Sequence, residues 1–356
     1  MDSHAEWELR ATAALNWLRR SIDATGGQGS AHSWHPLLGW GKAYPETTGY
    51  IIPTFFDYAA IWNDERLKAL AFSCANWLTT IQLPSGAFPG LLVENTSPSI
   101  FNSTQILFGL TRAAQEDPAN DTYRHAVQRC CDWLIAMLAP DYSWKKYAFV
   151  PGFTPSYYSR AVWGLVCAND LLQDQEVSEK MQKAMQHYAS LYLNTLSLRD
   201  WGFKPGQPAF THTIAYTLEG FLALAVAFQD AGVLQQTIRV AEQLLAVRSR
   251  AGKRTAGRYD ELWQGDYSFI CVTGNAQLSL FYQRLFERTR ETKYQNASAE
   301  ILAEVIGCQV LKGNLNRVGA LPGSAPIWGA YLPFRYPNWA AKFFLDAILP
   351  YLEHRP

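Results

Sequence analysis

One glutamate stands between two tyrosines at the head of an apolar run, in Tyr44-Pro45-Glu46-Thr47-Thr48-Gly49-Tyr50. A carboxyl at a loop-to-helix junction can satisfy the free N–H groups of the first helical turn, or it can face a pocket and exchange protons. Glycoside hydrolysis needs two acids facing each other across a bond, one of them holding a proton near neutral pH. Asp260 is the lead partner for Glu46 and Asp266 stands in reserve, both in a later loop rich in aromatic residues. Elimination from a uronate is a second chemistry open to the same loops. It needs a group to neutralise the carboxylate, with a base and an acid beside C5 and the leaving oxygen, and Asn102, Tyr157, Arg160 and His212 are suited to it. His212 can also be a hydrogen-bonded structural residue. Arg160, one turn into an apolar helix, needs an anionic partner, either a protein carboxylate or an acidic ligand. With Arg335 it could hold an acidic group, while Trp34, His35, Tyr44, Tyr157, Trp263 and Trp339 could line or stack on sugar rings.

These residues recur with the helices that must carry them. Asn16-Trp17-Leu18, Asn76-Trp77-Leu78 and Asp132-Trp133-Leu134 repeat every 56 to 60 residues. Apolar spacing predicts amphipathic helices over 9–22, 66–81, 123–138, 177–193, 233–247 and 294–311. Between them a second set, apolar on all sides, is expected to start near Thr47, Asn102, Tyr157, Thr211, Val272 and Tyr336, with Gly109, Gly164 and Gly220 at matching places. Six helix–loop–helix units account for the whole chain, read as a single domain over 1–356. The pattern predicts an all-α (α/α)6 toroid, amphipathic outer helices enclosing inner ones. Connections into the inner helices are long and rich in Gly, Pro and aromatic residues, so six mouths should ring one funnel. Ser99, Ser103, Ser156, Thr211 and Thr213 at these mouths read as N-caps. Glu219 and Asp57, two or more turns inside inner helices, read as buried, hydrogen-bonded acids.

Bulk composition narrows the function classes. Lys+Arg and Asp+Glu both number 31, so no basic face is implied and neither nucleic acid nor a membrane surface is expected as a partner. The 13 Trp and 18 Tyr suit both core packing and stacking on sugars. The N-terminal residues carry no apolar signal segment and no run approaches a membrane span. Cys74, Cys130, Cys131, Cys167, Cys271 and Cys308 show no metal-ligand spacing. They read as reduced thiols of a cytoplasmic protein, with neither metal nor cofactor expected.

With six helical hairpins in hand, the chain resembles the six-hairpin glycosidase-like superfamily of α/α toroids. The segments 44–50 (YPETTGY) and 210–220 (FTHTIAYTLEG) resemble a bacterial group associated with polysaccharide gene clusters. The resemblance implies a carbohydrate-active protein on a scaffold shared by unsaturated glucuronyl hydrolases, sugar epimerases and uronate lyases. Terpene cyclases share the toroid too, but Gln82-Leu83-Pro84-Ser85-Gly86-Ala87-Phe88 has Phe where their repeat has Trp, and no D-x-D-D acid motif occurs. The expectation is a glycoside hydrolase for short uronate-containing oligosaccharides. A lyase or epimerase and a non-catalytic carbohydrate-binding toroid are the alternatives.

Overall fold

The computed structural model describes residues 4–353. Its long helices show two burial patterns. The outer set is α1 (His4–Asp23), α3 (Glu65–Thr80), α5 (Asp121–Ala136), α7 (Gln175–Ala189), α9 (Ala231–Arg250) and α11 (Thr292–Ile306). Each buries one stripe. In α7 it is Val177, Met181, Ala184, Met185 and Tyr188, the spacing of a helix with one face on a core. The inner set is α2 (Pro45–Trp62), α4 (Ile100–Glu116), α6 (Ser159–Leu172), α8 (Thr211–Ala227), α10 (Val272–Thr289) and α12 (Asn338–Ile348). In α8 every residue from Thr211 to Leu222 is buried, because helices surround it. Inner neighbours pack in a closed ring, α12 returning to α2, and each outer helix lies mainly against one inner helix, α3, α5 and α7 also touching the next. A short α13 (Pro350–Glu353) packs on α1. This is the expected (α/α)6 toroid. All six inner helices begin within two residues of the expected positions, α6 after a 3-10 turn at Ser156–Tyr158.

The glycine repeat has a packing cause. A Cβ on Gly109 would lie 2.2 Å from the Gly49 carbonyl oxygen, and one on Gly220 would lie 2.5 Å from the Arg160 nitrogen. Inner helices therefore meet backbone to backbone, which any side chain at these sites would block. Gly274, which the sequence pattern missed, plays the same part against the His212 nitrogen at 2.4 Å.

Helix starts divide by ring. Asp64, Asn120, Asp174 and Asp230 cap the outer helices α3, α5, α7 and α9 through their side chains. Among the hydroxyls expected to cap the inner helices, only Ser99 does so, accepting from the Asn102 N–H at 3.3 Å. Ser103 instead accepts from the Phe88 N–H, while Thr211 donates to the Ala256 carbonyl and Thr213 to that of Phe210. Ser156 Oγ has no partner. Long loops fold over these helix starts and recruit the hydroxyls for their own backbone.

Those loops, residues 24–44, 81–99, 137–155, 190–210, 251–271 and 307–337, gather at the N-terminal ends of the inner helices. Small antiparallel sheets stitch them together. Ser33–His35 pairs with Gly39–Trp40 and with Tyr336–Pro337, closing the ring between the first and last loops. Ala209–Phe210, Arg258–Tyr259 and Gly265–Asp266 form a second sheet, and Ile270–Cys271 with Ser324–Ala325 a third. Gln82, in the segment compared with the terpene cyclase repeat, ties its loop to α5 by donating to the carbonyls of Gly86 and Ala126. All six cysteines are free thiols. Among the described residues no helix is long and apolar enough to cross a membrane.

Candidate active site

Five of the six loops, all but 251–271, enclose with the inner-helix starts a cavity of about 250 Å³. Most of its wall is aromatic, from Phe101, Tyr147, Phe149, Tyr157, Phe203 and Trp339. Pro45 at the first position of α2 carries a fixed φ suited to a helix start, and the next residue is Glu46. Its side chain is 8% exposed and lines the cavity. The Tyr44 hydroxyl donates to Glu46 Oε2 at 2.8 Å, while Oε1 makes no hydrogen bond within the protein. Burial pushes the Glu46 pKa up to about 7, against the opposing pull of the Tyr44 hydroxyl and the Arg160 charge. Burial disfavours the charged form, so this carboxyl holds its proton close to neutral pH. No other Asp or Glu lines the cavity, and neither does any Lys or Arg.

His212 enters from the first turn of α8, between the rings of Tyr216 and Tyr331. Burial depresses its pKa to about 3, outweighing the Gln277 hydrogen bond that raises it, so the imidazole is neutral. Trp339 is held by its indole N–H donating to the Tyr331 hydroxyl at 2.9 Å. His32 packs edge-on against Tyr44 and Trp339, and burial, aided by the charge of Arg335, lowers its pKa to about 4.

The structure thus brings Tyr44, Glu46, Asn102, Tyr157, His212 and Trp339 to one cavity. The other sequence candidates lie elsewhere. Asp260 Oδ1 accepts from the N–H groups of Leu262 and Gln264 and shapes the tip of a hairpin. Asp266 sits opposite Arg258 in that hairpin and pairs with its guanidinium at 3.0 Å. Neither lines the cavity, so the expected Glu46–Asp260 pairing, and its Asp266 substitute, is not assembled there. Their hairpin satisfies them locally. Trp263 donates its indole N–H to the carbonyls of Thr195 and Leu196, and Trp34 lies in a strand beside Tyr336. His35 Nδ1 accepts from the Leu37 and Leu38 N–H groups, and Arg335 donates to the Ser33 hydroxyl. Arg160, 3% exposed, takes the protein-carboxylate alternative, pairing with Glu219 at 2.7 Å. Asp57 is half-buried and pairs with Arg112.

Sequence reasoning passed over Gln105 and Gln277, which are buried in α4 and α10 and bonded to this machinery. A signal existed: Gln105, Arg160, Glu219 and Gln277 are polar residues on inner helices at intervals of 55 to 59. Among the described residues no group of three or more His, Cys, Asp and Glu side chains is arranged to hold a metal ion.

Comparison with known proteins agrees with this architecture. The chain is similar in structure to an unsaturated glucuronyl hydrolase specific for heparin, with TM-score 0.77, 14% identity, and 98% of this chain and 97% of that one covered. An unsaturated glucuronyl hydrolase from Bacillus sp. GL1, responsible for the degradation of glycosaminoglycan, gives 0.74 at 13% identity, covering 97% and 96%. A cellobiose 2-epimerase from Bacillus thermoamylovorans gives 0.76 at 11% identity, covering 97% and 98%. At these identities the likeness establishes the shared six-hairpin fold. No family model matches the chain, and no curated protein matches it by sequence.

Proposed function

We propose that the protein is a glycoside hydrolase for short oligosaccharides that end in an unsaturated uronate. The observation that carries this reading is the solitary carboxyl of Glu46, protonated near neutrality in an aromatic cavity that holds no second acid. Direct hydrolysis of a glycosidic bond takes a pair of carboxylates. An enol ether asks for only one acid. The proton of Glu46 goes to C4 of the C4=C5 bond, whose electron pair forms the new C–H bond, and the ring oxygen stabilises the cation at C5. Water adds at C5 and gives its proton to a base in the cavity. The resulting hemiketal opens and the sugar at C1 leaves as an alcohol. Positioned proton transfer of this kind is worth about 10²–10⁴-fold in rate. The aromatic wall suits the apolar faces of sugar rings, and the two glucuronyl hydrolases of the same fold lend the substrate class.

With no Lys or Arg in the lining, the substrate carboxylate would meet neutral donors such as the tyrosine hydroxyls. A second reading, epimerisation of a sugar carbon, draws on the neutral His212 beside the acid and on the epimerase of the same fold. The test is ultraviolet absorbance of unsaturated uronides mixed with the purified protein. A falling signal that depends on Glu46 supports hydrolysis through the double bond. A rising signal with intact acidic polysaccharide overturns it in favour of elimination. Unchanged absorbance with a new epimer in the product favours the second reading.

A further inference from the structure

Behind the cavity a line of buried polar groups, Gln105, Arg160, Glu219 and Gln277, crosses the inside of the helix ring, one from each of four adjacent inner helices. Arg160 of α6 donates from Nη1 to Glu219 Oε2 of α8 at 2.7 Å, and from Nε to Gln105 Oε1 at 2.8 Å. Gln277 of α10 donates from Nε2 to the same Glu219 oxygen at 3.2 Å, and its Oε1 lies 2.5 Å from Nδ1 of His212. Arg160 is wrapped by the rings of Tyr50, Phe108, Trp163, Tyr216 and Phe343 at 4.6–5.9 Å, and it and Glu219 are buried.

The direction of every bond follows from its neighbour. A carboxylate paired with a guanidinium only accepts, so the Gln277 amide must turn its NH2 toward Glu219 and its oxygen toward His212. That oxygen only accepts, so His212 Nδ1 must carry the proton. A neutral imidazole has one such proton, which leaves Nε2 bare on a ring that lines the cavity.

We propose that Arg160, Glu219 and Gln277 are positioning residues that hold His212 as the neutral Nδ1–H tautomer, so that Nε2 is the cavity's base. The substrate role rests on the reading of the cavity given above; the tautomer does not. In the hydration step Nε2 takes the proton of the attacking water as its oxygen bonds to C5, while Glu46 has given its own proton to C4. The resulting imidazolium and carboxylate are reset by solvent after product leaves. The charged and titratable groups around the ring are Arg160, Glu219, Tyr216, Tyr331 and Cys271. The Arg160 charge works with burial to keep the imidazole neutral.

The experiment is nuclear magnetic resonance of the full chain with ¹⁵N-labelled histidines, the His212 signals being identified among the seven by their loss in His212→Gln. The expected spectrum has a proton on Nδ1, a bare Nε2, and no titration between about pH 5 and 8. In Gln277→Ala the tautomers should mix, with turnover falling about tenfold or more and KM moving less than about threefold. Gln277→Glu should make His212 titrate at higher pH and shift the acid limb of the pH–rate profile with it. A proton on Nε2 in the wild type overturns the proposal whatever the variants do. So does Gln277→Ala with unchanged tautomer and turnover. The expected tautomer without turnover of unsaturated uronides would instead sink the functional reading and leave the positioning intact.

Discussion

The toroid has a cavity at each end of its inner ring, and the two differ in whether their acids have a cation partner. At the N-terminal ends of the helices, Glu46 meets a tyrosine hydroxyl and aromatic walls, and burial lifts its pKa to about 7. At the other end a cavity of about 300 Å³ is lined by Asp57, Arg160, Glu219, Lys342 and Asp346. There the acids are matched: Glu219 to Arg160, Asp57 to Arg112, and Asp346 to Lys342. Two buried glutamates thus have different surroundings: Glu219 has a cation at hydrogen-bond distance and Glu46 does not. A buried acid with a cation serves structure; one without a cation keeps a proton it can give away.

The largest expected effect breaks the first cavity. Glu46→Gln should lower turnover by about 10²–10⁴-fold, measured by the decay of ultraviolet absorbance of an unsaturated uronide. The fold should survive, since an amide accepts the Tyr44 hydroxyl as the acid does. Next comes the second cavity. Arg160→Met strands Glu219 without its cation and should cost about 3–5 kcal/mol in denaturant unfolding, and Arg160→Met with Glu219→Met together should recover part of that loss.

A pH series sharpens the contrast. Glu46 has a folded-state pKa above its ordinary 4.5, so the folded state binds the proton more tightly than the unfolded chain does. Stability from this group is present below about pH 4.5 and is lost as pH rises to about 7. Glu46→Gln should therefore unfold at higher denaturant than wild type at pH 8, by up to roughly 3 kcal/mol, and the two should converge near pH 4.5. The wild-type kcat/KM should fall about tenfold per unit above pH 7 as the acid is lost. The smallest effects belong to the hairpin. Asp260→Asn and Asp266→Asn keep the accepting oxygen of their turns, and each should change stability by less than about 0.5 kcal/mol and turnover by less than about threefold.

Architecture was legible because it repeats. Six amphipathic stripes, each paired with an apolar stretch, leave one way to hide every apolar face, and glycines 55 and 56 residues apart marked where inner helices touch. Glu46, His212, Tyr157, Asn102 and Trp339 were legible as cavity residues because each lies near an inner-helix start, and ring topology brings those starts together. Asp260 and Asp266 had the right type in the right loop. Whether a loop carboxylate faces inward depends on strand pairing two residues long, such as Arg258 with Asp266, for which composition carries no signal. Arg160 shows the same limit: its need for an anion was plain from its apolar helix, but the choice of Glu219 over a ligand required the distance between α6 and α8. By itself, then, the sequence determined the toroid and the ring of mouths, since apolar periodicity is a local property. Tertiary structure decided which acid is left without a cation, because a pKa depends on what stands within a few ångströms.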